Sequence, residues 1–69
     1  MIIVLNGTDH EVDDSATVAD LIGQTHPDAA THRGVAVAVD RRVVPRSAWA
    51  DTALVAGARV EFVTAVQGG

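Results

Sequence analysis

The chain opens on a β-rich apolar run, Ile2 to Leu5, whose two-residue period puts Ile3 and Leu5 on one face, toward a core. Asn6-Gly7 follows at once. Both central residues of a type I′ turn need positive φ, so this pair predicts a hairpin whose second strand returns through about Val12. That strand is weak, because Asp9, His10, Glu11, Asp13 and Asp14 leave Val12 as its one large apolar residue. Thr17 then precedes Val18, Leu21 and Ile22, an i, i+3, i+4 stripe that gives one face of a helix something to bury. Thr17 is the expected N-cap, with Asp20 standing in for the Glu or Gln of a capping box. Pro27 bounds the helix, which should end near Thr25 or His26. Asp28 to Arg33 reads as a connection.

Val35, Val37 and Val39 alternate with Ala36 and Ala38, a period-two pattern with one branched face and one small face. Both faces are apolar, which predicts a central strand. Asp40-Arg41-Arg42 reads as a polar turn before a short strand at Val43-Val44, and Pro45 ends that strand or confines it to an edge. From Ser47 to Leu54 the pattern is irregular, with Trp49 and Leu54 as expected anchors and Ser47 as the expected cap of a short turn. Ala56-Gly57-Ala58 is a turn. From Arg59 to about Val66 the residues alternate again, with Val60, Phe62 and, if the strand runs that far, Val66 on one face. The order predicts an α+β domain, a mixed sheet of four to five strands packed on one main helix. Its expected core is Ile3, Leu5, Val18, Leu21, Ile22, Val37, Val60 and Phe62. Residues 1–66 form the domain in this reading and 67–69 a C-terminal tail.

Length narrows the function classes. The chain has 69 residues, and a core of that size leaves too little wall to enclose a substrate, so it reads as a partner of enzymes rather than an enzyme. There is no cysteine, hence no disulfide, thiolate metal site or cysteine nucleophile. A net charge of −4 with scattered arginines argues against nucleic acid as a partner. There is no lysine either, so no side-chain amine exists to accept a modifier. The first residues lack a basic n-region, and no apolar run approaches the ~20 residues that span a bilayer. A cytoplasmic protein with no membrane partner is the expectation.

Most candidate chemistry has an ordinary structural explanation. His26 and His32 are not spaced to share a helical face, and with His10 they read as solvated or turn histidines, so no metal is expected. Asp13 and Asp14 are adjacent and read as turn residues rather than an acid/base pair. Ser15 and Ser47 lack the setting of a nucleophile or attachment point, and Gly23, Gly34 and Gly57 form no phosphate-cradling loop. No resident cofactor is implied. What remains is the end, Gln67-Gly68-Gly69, where the last two residues lack a Cβ and the carboxylate is expected on a flexible tether. Three extended residues reach about 10 Å, enough to thread a narrow active site of a partner. A carboxylate is a poor electrophile, so the partner would have to activate it, most simply as an acyl-adenylate.

The strand order and the Gly68-Gly69 end together resemble the thiamine-biosynthesis sulfur carrier proteins of the ubiquitin-like β-grasp superfamily. The most specific stretch runs from Val35 to Trp49 and includes Val44-Pro45-Arg46; Asn6, Thr17-Val18 and Gly57 also fit. Ala56 and Ala58 stand where family members often carry acidic residues. The resemblance implies that an ubiquitin-activating-enzyme-like adenylyltransferase adenylates Gly69 with ATP and Mg²⁺. The carboxylate then becomes a thiocarboxylate, which gives its sulfur to thiazole synthase. Gly68, Gln67 and Val66 would be the residues bound as the tail threads. Alternatives are the small subunit of molybdopterin synthase, an ubiquitin-like protein modifier, and a plain interaction module in which the tail is irrelevant.

Overall fold

The structure is a computed structural model that describes residues 1–27 and 35–64. Strand β1 (Ile2–Leu5) turns back into β2 (Thr8–Glu11) through Asn6 and Gly7, whose φ angles of 49° and 81° are both positive, as the turn requires. Helix α1 (Val18–Thr25) starts at a complete capping box. The Asp20 amide donates to Thr17 Oγ1 at 3.2 Å, and the Thr17 amide donates to the Asp20 carboxylate at 3.0 Å. The helix closes at His26, whose amide reaches the Ile22 carbonyl at 2.7 Å. Strands β3 (Val35–Val39), β4 (Arg42–Val44) and β5 (Arg59–Thr64) complete the list, with a 3-10 helix at Arg46–Asp51 between the last two.

The sheet runs in the order β2-β1-β5-β3-β4. The first and last strands pair in parallel, and the other neighbours are antiparallel. The middle of the sheet is therefore β5, and β3 is an interior strand paired on both edges, as its pattern predicts, although one of its two apolar faces is open. Ala36 is exposed and Ala38 half-buried on the open side of the sheet, so this face is small rather than covered. The other side of the sheet faces α1 and the 3-10 helix. All eight expected core residues are buried there, joined by Val12, Ala16, Trp49, Leu54 and Ala58. This five-stranded sheet with one α-helix is the ubiquitin-like β-grasp arrangement.

Two turns differ in detail from expectation. The connection between β3 and β4 is the two residues Asp40 and Arg41, at φ of 49° and 72°, and Arg42 already belongs to the strand. No glycine relieves this left-handed pair. Instead Asp40 is held on β5, its amide donating to the Arg59 carbonyl at 2.8 Å and its carboxylate accepting the Arg59 amide at 3.0 Å. At the turn before β5, Gly57 has a φ of 80° and donates to the Ile2 carbonyl at 2.8 Å, while the Ala58 amide reaches the Val55 carbonyl at 3.0 Å. These bonds are all main-chain, so the turn stands without flanking acidic side chains. Ser47 does not cap: Pro45 holds the cap position of the 3-10 helix, which has no side-chain cap bond, and Ser47 lies inside the helix.

Candidate functional site

Val66, Gln67, Gly68 and Gly69 lie outside the described residues, as do His32 and the connection from Asp28 to Arg33. What the structure describes is the root that carries the tail. Strand β5 is held along both edges, with β3 pairing from Val39↔Val60 to Val35↔Thr64 and β1 pairing at Val4↔Arg59 and Leu5↔Val60. After Leu5 the first strand turns away. There the Asn6 side chain takes over, its Oδ1 accepting the Phe62 amide at 2.9 Å and its Nδ2 donating to the Phe62 carbonyl at 3.2 Å. Sequence reasoning assigned Asn6 to the turn alone, since no periodicity says where a turn side chain points.

On the covered side of β5, Phe62 stacks against His26, with ring centroids 3.9 Å apart and planes at 26°. The Thr25 hydroxyl donates its one proton to the Leu21 carbonyl at 2.8 Å, so its 2.9 Å contact with His26 requires Nδ1 of the imidazole to carry a proton. His26 is thus a half-buried packing group that closes the helix, and not merely a solvated turn residue. The resemblance-bearing Val44-Pro45-Arg46 and Trp49 form one staple beside it. The indole N–H donates to the Val44 carbonyl at 2.9 Å, and the Arg46 guanidinium lies 5.1 Å from the Trp49 ring. These residues therefore lock β4 to the 3-10 helix.

The open side of the sheet carries the apolar side chains that a partner could meet. Register pairs Ala36 with Val63 near the end of β5, and in the next row of this face sets Ala38 between Val43 and Glu61. Val43 is 74% exposed and Val63 57% exposed. Across the same face, Asp9, Glu11 and Glu61 are exposed and acidic. Exposed Ile2 and Arg59 lie among them, Ile2 opposite Glu11.

The remaining candidates are separated or engaged. Asp13 accepts the Ser15 amide at 2.9 Å and the Ser15 hydroxyl at 2.7 Å, which holds its carboxyl below the ordinary value. Asp14 instead pairs with the Met1 ammonium at 3.1 Å, so the two carboxylates serve different partners. His10 lies half-buried on the β2 edge. Among the described residues no group of three His, Asp or Glu side chains converges, and no polar or charged side chain is buried.

The comparisons agree with this architecture. A crystal structure of the thiamine biosynthesis protein ThiS from Geobacter metallireducens superposes with a TM-score of 0.79, at 30% identity and covering 100% of both chains. The solution structure of a thiamine biosynthesis protein from the same organism gives a TM-score of 0.77 at 30% identity, covering 100% of this chain and 88% of the other. No curated protein sequence matches. The family model that matches spans residues 3–69 and so takes in both the described fold and the Gly68-Gly69 end: the chain belongs to the ThiS family.

Proposed function

We propose that this chain is a sulfur carrier for thiamine biosynthesis, acting through the carboxylate of Gly69. An ubiquitin-activating-enzyme-like adenylyltransferase would join that carboxylate to the AMP part of ATP, releasing pyrophosphate. A persulfide on the donor then displaces AMP to form an acyl disulfide, a second thiol cleaves its S–S bond with formation of a disulfide, and the thiocarboxylate so released hands its sulfur to thiazole synthase. Residues 1–66 serve as the body that docks, and residues 67–69 as the part that is threaded, with Gly68, Gln67 and Val66 lying along the partner's channel. The protein is a co-substrate in this scheme and not a catalyst.

The observation that carries the reading is the family match, which runs through residue 69. The described residues give a body of the right kind: a covered core, an open face with exposed Val43 and Val63, and a middle strand that leads into the tail. Among them no helix is long and apolar enough to cross a membrane.

The experiment is intact-mass measurement of protein purified from its own cells. Exchange of one oxygen for sulfur is expected in part of the population, and a chain that is never modified under thiamine starvation would sink the reading. Deleting the gene fixes the acceptor: growth restored by the thiazole precursor supports thiazole formation, whereas a strain that grows without thiamine but lacks molybdoenzyme activity would point to molybdopterin instead.

A further inference from the structure

The ladder between β1 and β5 contains a rung that no backbone supplies. Strand β5 runs on from Val60 to Thr64, but β1 ends at Leu5 and the chain turns back toward β2 at Asn6, whose φ is 49°. The last main-chain bond across this seam goes from the Asn6 amide to the Val60 carbonyl at 2.9 Å. In a strand, alternate residues point both main-chain groups to the same neighbour, so the next pair facing β1 belongs to Phe62. The Asn6 carboxamide fills that place. It carries one acceptor and a donor in the plane of a peptide group, and it meets both the Phe62 amide, at 2.9 Å, and the Phe62 carbonyl, at 3.2 Å.

A strand held on one edge can twist about that edge, whereas one held on both has a fixed bearing. The side chain moves the last hold on the β1 side from Val60 to Phe62, two residues or ~7 Å of extended chain closer to the tail. We propose that Asn6 is a positioning residue for activation of the Gly69 carboxylate, its side chain fixing the direction in which β5 delivers the tail to the activating enzyme. This rests on the carrier function proposed above. Docking on the open face and delivery of the carboxylate then depend on different residues. Losing the Asn6 clamp should leave docking unchanged while lowering the fraction of docked complexes whose carboxylate is in reach of ATP.

The test compares Asn6→Gly, which keeps the positive φ of the turn, Asn6→Asp, which keeps the acceptor for the Phe62 amide, and Thr17→Ala, which loses the helix cap on Asp20 and leaves the Phe62 bonds in place. Amide hydrogen exchange is read in each free protein, and ATP–pyrophosphate exchange is measured against carrier concentration with the cognate activating enzyme. In Asn6→Gly the Phe62 amide should exchange about tenfold faster, the scale of one lost hydrogen bond, and kcat should fall by a similar factor with KM nearly unchanged. Asn6→Asp should retain protection at Phe62 and lose less of kcat. Thr17→Ala should lose stability without losing kcat. Unaltered kcat in Asn6→Gly, or an equal fall in Thr17→Ala, overturns the positioning role while leaving the carrier function standing. Equal Phe62 exchange in wild type and Asn6→Gly overturns the clamp whatever the enzyme shows. A wild-type chain that supports no exchange at all overturns the carrier function itself, and the positioning role with it.

Discussion

Leu21 shows how much a single residue decides in a core this small. It sits on the buried stripe of α1 at 1% exposure, so Leu21→Ala should cost about 2–5 kcal/mol in chemical denaturation, and a cost no larger than a surface change would refute the helix phase. Asp13 makes a prediction about acid. Its carboxyl is lowered from 3.8 first by the Ser15 amide and then by the Ser15 hydroxyl. A carboxylate with a depressed folded value stabilises above its unfolded value and loses that contribution as pH falls through the folded one. The stability gap between wild type and Asp13→Asn should therefore stay level near neutrality and shrink below about pH 3.8; a gap that widens in acid would contradict the hydrogen bonds. Gly68→Val should leave thermal unfolding unchanged and strongly slow adenylation, because a β-branched side chain widens and stiffens the threaded segment. Normal pyrophosphate exchange by that variant would remove threading from the scheme. At this scale the sequence told burial well, since inward phase follows from period. Side-chain partners such as Asn6 on Phe62 or Trp49 on the Val44 carbonyl join residues far apart in order or hidden in irregular chain, and periodicity is blind to both.

Elements were legible where local rules agree with the global fold. The capping box at Thr17 and Asp20 and the Asn6-Gly7 turn were read residue by residue, because each is a local device with its own chemistry. The 3-10 helix at Arg46–Asp51 was not, since six residues make too short a run for periodicity to declare itself. The β3–β4 turn was placed one residue too long for a different reason: Arg41 occupies a φ of 72° that sequence rules reserve for glycine or asparagine. That conformation costs an L-residue roughly 1–2 kcal/mol, against roughly 0.5–1 kcal/mol of extra chain entropy for glycine. Arg41→Gly should therefore raise stability by up to about 1 kcal/mol, and a destabilised variant would mean that Arg41 makes a contact worth more than its strain.

For the molecule as a whole, the layer arrangement followed from one amphipathic helix and alternating strands, but the strand order did not, because register between distant segments leaves no local mark. The middle position of β5 is the part that mattered most and was least visible. It makes a direct prediction: a chain ending at Val55 lacks the strand that joins β1 to β3, and should show no cooperative unfolding, whereas a folded fragment would mean that the two halves of the sheet stand alone. The parallel seam between β1 and β5 also bears on time. Its partners are separated by most of the chain, the kind of contact that slows folding because a long loop must close before any reward arrives. On the ribosome the sheet must wait with a gap at its centre until residues 59–64 are free to pair, so the two halves that flank this strand are held in reserve as a late-closing frame.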